Sequence, residues 1–95
     1  MPRTPIHPGE ILADELEELK ISSARLAREI HVPPNRISQI IAKKRSISAD
    51  TALRLGKWFG TGPHIWLNLQ QAYDIDLIQP QLATTIDEIK TRKAA

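Results

Sequence analysis

Residues 22–42 read SSARLAREIHVPPNRISQIIA, and two short helical patterns lie within them. Ser22 or Ser23 supplies a side-chain oxygen for the unpaired N–H groups of a first turn, after which Leu26, Ala27 and Ile30 form one apolar stripe. The pattern restarts after only His31, Val32 and Pro33. Proline is tolerated at the first position of a helix, where its missing N–H has no partner to lose, so Pro34 reads as a helix start. From there Ile37, Ile40 and Ile41 turn inward at i, i+3, i+4 and leave Asn35, Arg36, Ser38 and Gln39 over the outward surface, to an end near Ala42.

Two helices joined by so short a turn form a helix-turn-helix pattern, which makes specific demands. A small residue is needed where the helices cross, and Ala27 is there. Four positions later the turn needs a residue able to take positive φ; His31 occupies it, where glycine is the easier choice and histidine one of the better-tolerated side chains. Six positions further an apolar residue must point back, and Ile37 does.

The flanks extend the same logic. Ile11, Leu12, Leu16 and Leu19 recur at helical spacing behind Pro8 and Gly9 and predict a helix over residues 9–19, acidic outside and apolar inside. Ser48 is the expected cap of a fourth helix, with Asp50 in its first turn, Ala52, Leu55 and Phe59 facing the core and Gly60 as its stop. Thr61 is the expected cap of a fifth, with Pro63 in its first turn, and Ile65, Trp66, Leu67, Leu69, Ala72 and Tyr73 make that helix apolar on more than one side. Past Pro80 a short amphipathic helix or tail is expected, with Leu82, Ile86 and Ile89 at i, i+4, i+7 and Lys90, Arg92 and Lys93 at its end. No segment alternates as a strand would, and no internal repeat is visible. The expected fold is therefore all-α, with a five-helix domain over residues 1–78, its helix-turn-helix at about 22–42, and a tail over 79–95.

With 95 residues the chain is one domain with a modest core, too small for a large substrate cleft. It has no cysteine and no apolar run near the roughly 18 residues of a membrane span, which fits a cytoplasmic protein without disulfides or thiolate metal ligands. The net charge of +2 is small, but its distribution is uneven. From Glu10 to Lys20 there are five acids against one base, and from Ile30 to Ala49 there are four bases and no acid. The first stretch suits solvent or a protein partner, the second a polyanion. His7, His31 and His64 fall at three different helix boundaries without an i, i+4 ligand pair, and there is no glycine-rich phosphate loop. No catalysis, metal or cofactor is expected.

HPGEIL at residues 7–12, LAREIHV at 26–32, RISQIIAKKRSISADTALRL at 36–55 and WFGTGPHIWLNLQQAYDI at 58–75 resemble the HigA-type, or VapI-like, addiction-module antitoxins of the Xre family, whose domains are lambda-repressor-like. The resemblance covers about three quarters of the chain. It implies an antitoxin of a type II toxin-antitoxin module that binds double-stranded operator DNA as a homodimer, represses its own operon, and neutralises a RelE-like mRNA endoribonuclease, HigB. The alternative is a stand-alone Xre-type repressor without a toxin. The chain departs from the family pattern at Lys43, where glycine is usual, at Pro33 and Pro34, and at His64.

In this setting the residues acquire expected roles. The start of the second helix of such a motif approaches base edges in the major groove, where Asn or Gln can pair with adenine and Arg with guanine. Asn35, Ser38 and Gln39 are the expected base readers, with Arg36 at the boundary between base and phosphate. Ser23, Lys43, Lys44 and Arg45 are expected on phosphates. Ile65, Trp66, Leu69 and Tyr73 are candidates for the dimer interface, Trp66 being equally suited to the core. Asp14, Glu15, Glu17 and Glu18, with the tail stripe Leu82, Ile86 and Ile89, are the candidate surface for a basic toxin.

Overall fold

Five α-helices and no strand make up residues 4–93, which are those the computed structural model describes. They are α1 (Pro8–Leu19), α2 (Ser23–Glu29), α3 (Pro34–Ile41), α4 (Ala49–Phe59) and α5 (His64–Glu88). Each start follows from local chemistry. Ser22, and not Ser23, caps α2 by accepting from the Arg25 N–H at 3.1 Å, and Ser48 caps α4 by accepting from the Thr51 N–H at 3.3 Å. At α1 the cap is His7, whose Nδ1 accepts from the Gly9 N–H at 2.8 Å while the Glu10 carboxylate accepts from the His7 N–H at 3.1 Å.

The first four helices also end alike. The chain turns left-handed at Lys20 (φ 59°), His31 (φ 64°), Lys43 (φ 65°) and Gly60 (φ 76°). The following N–H groups then return to the last carbonyls of the helix: Ile21 to Leu16, Val32 to Ala27, Lys44 to Gln39 and Thr61 to Gly56, at 2.8–3.1 Å. His31 thus adopts the positive φ that the turn requires. Three of these four positions carry a side chain where glycine would be unstrained, at about 1 kcal/mol each.

Leu12, Leu26, Ile37, Ile40 and Leu55 are fully buried, each contributing about 2–3 kcal/mol, and Ala27 has no exposed surface. Four of the expected inward residues are less enclosed. Leu19 is 51% exposed, because it lies in the last turn of α1 and Ile21, beyond that turn, packs on the core instead. Ile11, Ile41 and Phe59 are half-buried at the core's edge.

Two glycines permit close approaches. A Cβ on Gly9 would run into the carbonyl of Ile40, so α1 seats its first turn directly on the end of α3. A Cβ on Gly56 would meet the backbone of Gly62, which brings the α4–α5 connection back against α4.

The last helix departs from expectation. Pro63, not Thr61, is the N-cap residue, without a side-chain cap bond, and Thr61 Oγ1 donates instead to the Gly62 carbonyl at 3.1 Å. The helix then runs through Pro80 to Glu88, so the tail expected as a separate piece continues α5. One proline removes one backbone hydrogen bond. At this exposed position the good helix formers around it, Gln79, Gln81, Leu82 and Ala83, offset that loss.

His7 ties α1 to α5. It is 3% exposed, caps α1, and packs edge-on against Tyr73 of α5 with ring centroids 4.8 Å apart. Burial pushes its imidazole below the ordinary value; Glu10 and Asp74 oppose that shift and Lys43 adds to it. Because the folded state favours the neutral ring, His7's contribution to stability is complete above about pH 6.5 and is lost as pH falls from there toward the lowered folded value. Thermal unfolding between pH 7.5 and 5.5 is expected to show a falling melting temperature. In His7→Asn, which keeps a capping side chain without a titrating ring, that fall should be shallower.

Candidate nucleic-acid interface

The α2–turn–α3 unit presents one polar face. Asn35 and Ser38 are exposed on α3 and Gln39 is half-exposed beside them, while Ile37 and Ile40 hold the opposite face in the core. The side chains of Asn35 and Gln39 make no hydrogen bond among the described residues, and the Ser38 hydroxyl donates to the Asn35 carbonyl at 3.3 Å. The amides on this surface are therefore available. Ser23, the first residue of α2, is half-buried.

The four bases around α3 divide into two kinds. Lys44 and Arg45 are exposed and form no ion pair among the described residues. Lys43, held left-handed at the end of α3, instead places its ammonium 3.6 Å from the Glu10 carboxylate of α1. Arg36 donates from Nη1 to Asp50 Oδ1 at 2.8 Å across the first turns of α3 and α4.

Two further residues fix the motif and escaped the reading of the sequence. Arg54 of α4 donates from Nε to Asp50 at 2.8 Å and from Nη1 to the carbonyls of Ile30 at 2.9 Å and His31 at 3.1 Å, closing the end of α2. The hydrogen bond from Arg54, with the charges of Arg54 and Arg36, outweighs desolvation and holds the Asp50 carboxyl below the usual range. On the far side, Gln70 is 6% exposed on α5; its Oε1 accepts from the Ile47 N–H at 2.7 Å and its Nε2 donates to Asp74 at 3.0 Å. The loop that carries Lys44 and Arg45 is thereby anchored to α5. The only trace of this in the sequence is a polar residue four positions after Trp66, on the helix's buried face. Trp58 adds a clamp by donating to Glu29 at 3.0 Å, a bond that, ahead of the one from Arg25, lowers the Glu29 carboxyl.

The candidate dimer residues do not share one environment. Trp66 is 4% exposed, packed near Phe59 at 5.4 Å, with its Nε1 buried and unpaired. Leu69 and Tyr73 are half-buried and Ile65 is exposed. Together with Ile11 and Glu15, Trp66, Ile65 and Leu69 line a cleft of about 130 Å³ between α1 and α5. Asp14, Glu15, Glu17 and Glu18 lie exposed on α1 and make no ion pair among the described residues. Between His64 and Glu88, α5 carries Asp74, Asp76, Asp87 and Glu88 and no lysine or arginine. Its second half exposes Ile75, Ile78, Leu82 and Ile86, with Ile89 just beyond. Among the described residues no helix is long and apolar enough to cross a membrane, and no group of three or more His, Asp or Glu side chains is placed to hold a metal.

Residues 12–66 match the helix-turn-helix family HTH_3. The chain is 48% identical over 75 residues to virulence-associated protein I of Dichelobacter nodosus, a match covering 78% of this chain and 69% of that protein. Among solved structures it is similar to an addiction module antidote protein of the HigA family from Coxiella burnetii, at 50% identity and a TM-score of 0.88 over 96% of this chain and 100% of that one. It is also similar to the Pseudomonas aeruginosa antitoxin HigA with the higBA promoter, at 42% identity and a TM-score of 0.85 over 95% and 100% of the two chains. With its five helices, its left-handed turn at His31 and its motif locked by Arg54, the chain belongs to the HigA-type, VapI-like branch of the Xre helix-turn-helix family.

Proposed function

We propose that the protein is the antitoxin of a type II toxin-antitoxin module. It acts in the cytoplasm, represses its own operon by binding operator DNA as a dimer, and neutralises a RelE-like mRNA endoribonuclease by direct contact. The observation that carries the DNA half is the outer face of α3: Asn35 and Gln39 amides and, beside them, Lys44 and Arg45 cations that have no side-chain partner among the described residues. Amides give base discrimination, and exposed unpaired cations give counterion release. The Pseudomonas aeruginosa relative bound to its promoter supports the same use of the fold. In this reading Asn35, Arg36, Ser38 and Gln39 face bases, while Ser23, Lys44 and Arg45 hold phosphates. Lys43, neutralised by Glu10, contributes less.

Dimerisation would place two α3 helices about one DNA turn apart, roughly 34 Å. The cleft between α1 and α5, lined by Ile65 and Leu69 with Tyr73 one turn further along α5, is the surface proposed for the second copy; Trp66 supports it from within the core. The exposed acids of α1 suit a basic toxin, as does the acidic, apolar-striped second half of α5.

Two measurements test the proposal. In a salt series, Lys44→Ala and Arg45→Ala should each reduce the slope of log K against log salt by about one unit, and Lys43→Ala by less. Gln39→Ala should leave the slope alone and relax preference at particular base pairs. For the toxin, the chain is mixed with a basic RelE-like ribonuclease, taken from an adjacent reading frame where one is encoded, and Glu15, Glu17 and Glu18 are changed together to lysine. Association should slow in low salt while DNA binding survives. An unaltered rate would move the docking surface off α1, and failure of the unmodified chain to bind such a protein would leave a stand-alone repressor.

A further inference from the structure

The Asp50 side chain is 56% exposed at the start of α4. Its Oδ1 nevertheless accepts from two guanidinium groups, Arg36 Nη1 and Arg54 Nε, each at 2.8 Å. The two arginines are not equivalent. Arg54 is anchored on the Ile30 and His31 carbonyls at the end of α2, and so fixes the carboxylate in place. Arg36 has no second anchor among the described residues, so it is the member whose position is set by the other two.

We propose that Asp50 is a positioning residue for sequence reading: it orients the Arg36 guanidinium so that its remaining N–H groups meet the O6 and N7 acceptors of a guanine in the major groove. This rests on the DNA-binding reading above and deepens it. The chemistry favours a base over a phosphate. A phosphate needs only a nearby positive charge, and a carboxylate 2.8 Å away would weaken that attraction. Bidentate pairing with guanine instead needs the guanidinium plane held in one orientation, which a fixed carboxylate provides. Arg36 is also in the first turn of α3, the part of such a helix that reaches base edges. The arrangement ties specificity to a residue on α4 that need not touch DNA itself.

The test uses duplexes selected from a random pool by the unmodified full chain, followed by competition with every single-base-pair variant of the selected sequence. The unmodified chain should lose tenfold or more on replacement of one G·C pair. Arg36→Ala and Asp50→Asn should both erase the preference at that same pair, the double variant should be no worse than Arg36→Ala, and Asp50→Glu should restore part of it. Thermal unfolding of each variant checks that the fold persists, and Arg36→Ala, which leaves Asp50 on Arg54, gives an independent reading if Asp50→Asn unfolds. Three results would overturn the inference: full G·C discrimination in Asp50→Asn, an equal gain of affinity for all duplexes in that variant, or an equal loss for all duplexes in Arg36→Ala, which would put the arginine on phosphate. If the unmodified chain selects no sequence, the DNA-binding reading falls as well.

Discussion

An eight-residue helix cannot hold its own shape in water, and α3 has only eight residues. The DNA binding proposed for this protein requires that helix to be rigid, so its restraint by the rest of the chain is the central physical problem of the fold. Ile37 and Ile40 press one face into the core. At its end the absence of a side chain on Gly9 lets α1 close over the Ile40 carbonyl, with the Glu10–Lys43 ion pair beside the contact. At its start the Arg36–Asp50–Arg54 chain connects it to α4 and to the last carbonyls of α2. The outer face is left with no structural duty, and polar side chains there are free to meet a ligand.

The same contacts decide which charges remain available. A count of bases near α3 gives four; after pairing among the described residues two are left, Lys44 and Arg45. Their loop is held from behind by Gln70 on the Ile47 N–H, so a helix that also bounds the α1–α5 cleft reaches the loop beside α3. Apart from Glu10, which pairs with Lys43, the acids of α1 make no ion pair with the bases around α3 among the described residues, and with those of α5 they are suited to a basic protein.

Local chemistry made most of the fold legible in the sequence. The Ser22 and Ser48 caps, the Pro34 start, the Gly60 stop and the inward isoleucines of α3 all depend on residues within one or two turns. His31 was legible because the turn geometry restricts what can stand there. The parts that were not legible depend on distant partners. Nothing near Gly9 reveals that a carbonyl 31 positions later lies where its Cβ would be. His7 reads as an isolated boundary histidine until Tyr73 and the capping bonds surround it. Arg54 reads as a solvated helix residue, and its bonds to Ile30 and His31 span more than 20 positions. The expected break at Pro80 failed for a different reason: one lost backbone bond is a small cost against good helix formers on both sides.

The most direct test of the account is amide hydrogen exchange on the full chain, with and without a saturating duplex that the chain has itself selected. Exchange should slow in a block over residues 35–45, with a smaller effect at the start of α2, while the outer face of α1 keeps its rate. Slowing confined to α1 or α5, with residues 35–45 unchanged, would contradict the claim that the outer face of α3 is the surface this protein lays against DNA.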